Sequence, residues 1–446
     1  MANNKISNLN NSAFEFVSIL EQTKFESSSI PPYGNFVGSP QVIMNLGEVS
    51  DLKRLKKDPF GNNVSVFQAI DKSYIGLSEI NFSKFKEFLS QIHELPIFSE
   101  RTTISFLEEE AFDWLMDIYK NKKAEKNLID YLLDAVENEY KEYTFFFKLY
   151  PLSIEKPFTI GNSEITFLTN DFLEQERKKF ISTGKNEEDF DAMFKDFKDK
   201  VLIKVIAKGV KNKAEEIALH EAELATDILK CLLHEYSIYG QYCIPEIDHR
   251  FKKKDTSVHV YNYPSEKFTF CFEISNKEDN IPIEINQEKL SVLNSNNLKK
   301  FSHFLRLKKE TDFYYLTIDA IKNFSDIVST NNRYDRVVKI ISFFEAIVID
   351  SGTKNGNGET IIKSKLIPKI LTDSKDINLG IELTRYFYSI RDAYLHHRIH
   401  KAIDYIKFQQ FQTIAFHFLS FIVKNNEQFN SIEEFLNYLN AENKKI

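Results

Sequence analysis

The chain has 446 residues, 42% apolar and 28% charged, which fits two or three folded domains better than one. Its net charge of −7 argues against a protein that coats nucleic acid nonspecifically. Residues 296–446 nevertheless hold 22 Lys and Arg against 17 Asp and Glu, a local +5 that leaves −12 on the remainder and permits a polyanion at the C-terminal third. The opening residues, MANNKISNLNN, lack the apolar core of a secretory signal. The longest apolar run, 415–423, is about half of the roughly 20 residues that span a bilayer. Cys231, Cys243 and Cys271 make no disulfide framework, so a cytoplasmic protein without membrane contact is expected.

Along the first 145 residues, short strand patterns mix with helical ones. Residues 41–46 (QVIMNL) and 64–70 read as strands, with a turn signal at Pro59-Phe-Gly-Asn-Asn. Residues 82–92, 104–119 and 126–142 read as helices, the last through Leu128, Tyr131, Leu132 and Val136 at three- and four-residue steps. Between 143 and 286 the β signal is clearest. Residues 144–149 and 158–168 are aromatic and β-branched, with a turn at Ile160-Gly-Asn-Ser-Glu, and 201–207 (VLIKVIA) is a continuous apolar strand. A long Ala-, Glu- and Leu-rich helix is expected from about 213 to 235, and a further hairpin over 258–263 and 267–274.

From about Leu290 the strand signals cease. Residues 301–308, 312–329, 334–350, 360–371, 377–396, 399–424 and 432–440 all read as helices, broken most strongly by the loop SGTKNGNG at 351–358. The expected architecture is therefore an α+β region over 1–290, in two subdomains divided near 143, followed by an all-α helical bundle over 296–446.

The chemistry-bearing residues concentrate in that bundle. Four of the ten histidines, His396, His397, His400 and His417, lie within 22 residues, and Arg391 sits five positions before the first. Metal-free cleavage of RNA needs a base for the ribose 2′-hydroxyl and an acid for the 5′-oxygen, tasks a His titrating near neutrality can perform. It also needs positive charge where the phosphorane develops, which a guanidinium supplies in a planar fork. Five residues of helix span about 7.5 Å and turn by about 140°, so Arg391 and His396 do not share a face. A site built from both then calls for two copies about a two-fold axis.

The bare spacing is unspecific, and its context carries more. The helix Arg336-Val-Val-Lys-Ile-Ile-Ser-Phe-Phe-Glu345-Ala-Ile-Val is followed by a polar loop, a helix ending near Leu371, and then Tyr388-Ser-Ile-Arg391-Asp-Ala-Tyr-Leu-His396. This ordered set, about 150 residues, resembles the Apea-like branch of the HEPN superfamily, helical ribonuclease domains of prokaryotic defence systems. The resemblance implies a metal-independent endoribonuclease with Arg391 and His396 as the catalytic pair, yielding 2′,3′-cyclic phosphate and 5′-hydroxyl ends. It implies an antiviral, abortive-infection role, with a homodimer as the working form. The preceding region would sense a trigger, such as a phage product, or restrain the bundle. Asp392 takes the polar position after the Arg and would orient it, and Glu345 takes the acidic position and would brace the site, an ion pair with Arg391 being one way. The family usually has Gly after the His, where this chain has His397 and then Arg398, so either His396 or His397 could act. Arg398 and Lys401 are candidates for RNA phosphate contacts or plain surface charges. The RNA itself, a tRNA or another structured RNA, is not specified by these residues.

Rival readings are open on the same residues. His396 and His400, four apart on a helix, would put two imidazoles on one face, but no third ligand and no H-E-x-x-H pattern accompany them. Cys231-x-x-His234 with Cys243 is a weaker metal candidate and reads more simply as core. His417 lies on an apolar stripe and reads as a core histidine. The chain lacks G-x-x-x-x-G-K-[ST], G-x-G-x-x-G and G-x-S-x-G patterns, so neither a metal nor an organic cofactor is expected. Bundles of the HEPN kind also serve as non-catalytic interaction modules or toxin–antitoxin partners, which is the alternative function.

Overall fold

The computed structural model describes residues 2–24, 53–58, 63–70, 73–184, 186–195, 197–198, 200–237, 244–247, 259–262, 268–270, 283–330, 332–349 and 358–441. The expected strand at 41–46, the turn at 59–62, the loop at 351–357, Cys243 and Cys271 lie outside them. The chain divides into two compact units, one of residues 1–142 with 208–214 and one of 143–207 with 215–446.

The first unit runs α1 (Ala2–Ser18), β1 (Glu21–Lys24), β2 (Lys53–Lys57), β3 (Asn63–Ile70), β4 (Ser73–Leu77), α2 (Glu79–His93), α3 (Pro96–Ser99), α4 (Ile104–Asn121) and α5 (Leu128–Glu139). The strands form an antiparallel sheet in the order β1-β4-β3-β2. Its core joins Val66, Ile75 and Leu77 of the sheet to Phe82, Phe85, Leu89, Leu115 and Leu132 of the helices. Gly76 is glycine because β3 lies so close that a Cβ would stand 2.0 Å from the Val66 carbonyl oxygen. α4 starts where the Thr103 hydroxyl accepts from the Phe106 N–H. No helix is expected over α1 from its pattern: only Leu9, Ala13 and Phe16 are buried from its Asn-rich sequence, too sparse an apolar stripe to stand out.

The second unit begins with β5 (Lys141–Tyr150), shared across the boundary, then β6 (Leu152–Ile154), β7 (Phe158–Ile160), β8 (Ser163–Thr166), α6 (Asn170–Ser182), α7 (Glu187–Phe194), β9 (Leu202–Gly209) and α8 (Lys211–Leu232). Next come a 3-10 turn (His234–Ser237), β10 (Glu246–Ile247), β11 (His259–Asn262), β12 (Phe268–Phe270) and β13 (Ile283–Ile285). The expected turn at Gly161-Asn162 joins β7 to β8, and β11 pairs antiparallel with β12. These strands order as β12-β11-β5-β9-β8-β7, with β10 also on β5, while β13 lies parallel to β6. α6 and α7, which the sequence pattern does not announce, are charge-rich helices that bury Phe180, Phe190 and the Glu176 carboxylate, which pairs with Lys179.

The remaining elements are helical: α9 (Gln287–Ser295), α10 (Leu298–Leu307), α11 (Asp312–Ser329), α12 (Arg333–Val348), α13 (Gly358–Ile361), a π-helical turn (Ile362–Leu366), α14 (Ile367–Ile370), α15 (Ser374–His397), α16 (Tyr405–Lys424) and α17 (Ile432–Asn440). The N-terminal α+β and C-terminal helical division is thus present. The helical segment shares its compact unit with residues 143–207 and 215–295. Two expected helices differ in form. The one at 360–371 is broken by the π turn, and the one at 399–424 starts only at Tyr405. There Asp404 caps the new helix by accepting from the Lys407 N–H, and 398–404 is a loop.

Candidate active site

α12 and α15 bring the site together. α12 buries Val337, Ile340, Ile341, Phe344 and Ile347, which leaves Glu345 at the edge of the packed face. α15 buries Gly380, Leu383, Thr384, Phe387, Tyr388 and Ile390 at helical spacing, so Arg391, one turn after Tyr388, falls at the border of that face. The two helices pack on one another through these stripes.

At the border, Arg391 Nη1 donates to Glu345 Oε1 at 3.0 Å, and its Nε donates to Asp392 Oδ1 at 3.2 Å. The Tyr388 hydroxyl donates to the same Glu345 oxygen at 2.7 Å, and the guanidinium carbon lies 4.8 Å from the centre of the Tyr388 ring. The ion pair open to Glu345 from its sequence position is therefore made. Partial burial works against the Arg391 charge, but Glu345, by attraction and by its hydrogen bond, outweighs it and raises the guanidinium pKa. Burial first, and then the bond to Glu345, pushes the Tyr388 phenol far up, so it stays a donor. Of the five N–H groups of a guanidinium, Arg391 commits two among the described residues, and its side chain is 21% exposed. The outer Nη edge keeps donors for a further oxygen pair.

His396 and His397 occupy the last turn of α15, both exposed, with ring centres 6.5 Å apart. Among the described residues neither engages a hydrogen bond or ion pair, with Arg391 or with any other group. The helix ends when Arg398 adopts φ +53°, its N–H bonding the Tyr394 carbonyl at 3.2 Å while Ile399 N–H bonds Ala393 O at 2.9 Å. The left-handed residue is thus Arg398, one place after His397, so His397 keeps helical backbone. Arg398 and Lys401 are both exposed, and Lys401 donates to the Ser389 carbonyl at 3.2 Å.

The loop after the helix is fixed by tyrosines. Tyr334 donates to Lys401 O at 2.8 Å, Tyr386 donates to Ala402 O and accepts from Asp404 N–H, and His400 sets its ring edge-on to Tyr334 and Tyr394. His400 is therefore off the helix of His396, which removes the shared face that the metal reading required. His234 bonds Cys231 O through Nδ1 and stacks on Phe416, as a core residue does. No group of three or more His, Cys, Asp or Glu suited to a metal ion occurs among the described residues. His417 differs from its expected core role: it is exposed on α16, while Phe416 and Phe418 beside it are buried.

Two residues of the site carry no role that the sequence assigns. Tyr388 enters there only as part of a motif, although a Tyr one helical turn before an Arg is a readable stacking pair. Gly358 closes the polar loop and has the look of a turn glycine. In fact a Cβ there would stand 2.6 Å from Glu345 Oε1 and 2.9 Å from the Tyr388 hydroxyl. No family model, no curated protein and no solved structure matches the chain.

Proposed function

We propose that the helical segment is a metal-independent endoribonuclease of the HEPN kind, working as a homodimer in antiviral abortive infection. The observation that carries this reading is Arg391: a guanidinium braced by Glu345 and Asp392 that keeps further N–H donors uncommitted among the described residues. On the same helix His396 and His397 are exposed and uncommitted. One imidazole would take the 2′-hydroxyl proton as O2′ attacks phosphorus. The guanidinium would hold the equatorial oxygens of the phosphorane, and a protonated imidazole would protonate the departing 5′-oxygen. The products are a 2′,3′-cyclic phosphate and a 5′-hydroxyl. Because His396 is turned about 140° from Arg391 on α15, the Arg of one copy would meet the His of another.

The test is cleavage of RNA by the full chain in EDTA, comparing wild type with Arg391→Ala, His396→Ala and His397→Ala. Loss of the acting histidine or of Arg391 should lower the rate by about 100-fold or more, with cyclic-phosphate ends on the products. Cleavage that requires Mg²⁺ and persists in Arg391→Ala overturns the proposal. A second reading, a non-catalytic interaction module, is favoured by the exposed apolar side chains Leu395 at the end of α15, Ile399 just after it and Ile406 at the start of α16, which are 50%, 54% and 67% exposed. It predicts no cleavage by any of the four proteins.

A further inference from the structure

We infer that Tyr388 is the positioning residue of the site, fixing the Arg391 guanidinium through Glu345 and from beneath, and that residue 358 must be glycine to let it do so. The inference rests on the reading of Arg391 just given and adds the device that holds it. A guanidinium at the end of a long, flexible stem binds a phosphate productively only if its plane is set beforehand. Glu345 alone cannot set it, because a carboxylate at the rim of a packed face, 27% exposed, has rotamers of its own. Tyr388 removes that freedom. It is buried, its hydroxyl holds Glu345 Oε1, and its ring lies under the guanidinium. One side chain thus constrains Arg391 by two routes, through the carboxylate and by stacking. The third wall is backbone. Gly358 opens α13 directly against the pair, and the space a methyl would need is occupied by Glu345 Oε1 and the Tyr388 oxygen. Nothing in the backbone angles of Gly358 requires glycine; the close approach does.

Tyr388→Phe keeps the ring and the stacking and deletes only the hydroxyl. Gly358→Ala keeps both side chains and pushes them apart. In the full-length protein, phenylglyoxal modification of Arg391, followed by peptide mass mapping, reads how firmly the guanidinium is held without any need for turnover. Both variants should expose it to reaction several-fold faster, with Arg385, exposed on the same helix, unchanged as the internal reference. On RNA, both should lower kcat about tenfold with KM within about twofold, because the defect is in presenting the charge rather than in binding substrate. Combining Tyr388→Phe with Glu345→Gln should cost little more than Glu345→Gln alone, since both act along one route. An unchanged modification rate at Arg391 in both variants overturns the inference, whatever the cleavage result. A wild-type protein that does not cut RNA defeats the proposed function instead, and the modification rates still decide what Tyr388 does.

Discussion

His234 is 1% exposed, stacked at 4.3 Å on Phe416 and edge-on to Phe324. Its Nδ1 is 2.9 Å from Cys231 O, and its Nε2 is buried without a partner. A charged imidazole there would need a second acceptor that the surroundings do not offer, so burial, above all, lowers its pKa from 6.5 to about 4. The unfolded chain takes up a proton as pH falls through 6.5, and the folded chain does so only near 4. Acid therefore favours the unfolded state across that interval, by up to about 1.4 kcal/mol per pH unit. The stability that depends on a neutral His234 should be complete above pH 6.5 and decline steadily toward pH 4. His234→Phe, which cannot titrate, should flatten that decline in urea titrations run at pH 7.5, 6, 5 and 4.5. Equal slopes for the two proteins would show that the acid sensitivity lies elsewhere.

Arg336 works between elements. Its guanidinium is buried, has no carboxylate partner among the described residues, and bonds neutral oxygens: Val328 O and Thr330 O at the end of α11, Ser237 O and Oγ in the 3-10 turn, and Gln412 Oε1 on α16. The negative end of the α11 dipole favours a cation at that place. Desolvation lowers its pKa to about 10, so it is still charged at neutral pH. Arg336→Ala would leave several buried acceptors unmatched, each costing about 1–3 kcal/mol. A loss of roughly 3 kcal/mol or more in denaturant unfolding is expected, and a loss below about 1 kcal/mol would refute the bracing role. Elements of this kind divide what the sequence shows from what it conceals. α11 and α17 are legible to the residue because their apolar stripes are regular and their caps, Thr311 and Ser431, stand where a cap should. The end of α15 is legible in its histidines and not in its backbone, because the turn is made by Arg398 at positive φ, a conformation that residue type does not announce. The loop 398–404 is hidden inside an apolar pattern that runs on past it. Arg391 and Glu345 can be named from order and chemistry. That Tyr388 and Gly358 enclose them depends on α12, α13 and α15 meeting, which no local pattern encodes.

At the scale of the molecule, the question is whether the helical segment stands alone. A boundary near residue 290 separates strand signals from helix signals, yet within the second unit it cuts through one core. Asp227 on α8 is buried and accepts from Ser325 at 2.7 Å, and Cys231 Sγ lies 3.5 Å from Ile321 O. Gln412 donates to His234 O at 2.8 Å, and Arg336 reaches Ser237. At the β7–β8 turn, Gly161 holds φ +62° with Leu305 packed where a side chain would be; its N–H meets Ser302 Oγ and its carbonyl meets Arg306 Nε. A fragment of residues 296–446 would take Asp227 from Ser325, His234 and Ser237 from Gln412, Ser237 from Arg336 and Gly161 from Arg306, and would bare the apolar faces of α10, α11 and α16. At about 1–3 kcal/mol for each buried group left unmatched, the losses at Ser325 and Gln412, added to the apolar burial forfeited, take a large share of the 5–15 kcal/mol that a whole domain has to spare. The fragment should therefore lack a cooperative thermal transition, or melt well below the full chain, as followed by near-UV circular dichroism. A sharp transition at the temperature of the intact protein would show that the bundle folds on its own. If the fragment does fail, truncation cannot report whether the N-terminal residues restrain a nuclease, because it removes the fold along with the restraint. That comparison then requires substitutions within the intact chain.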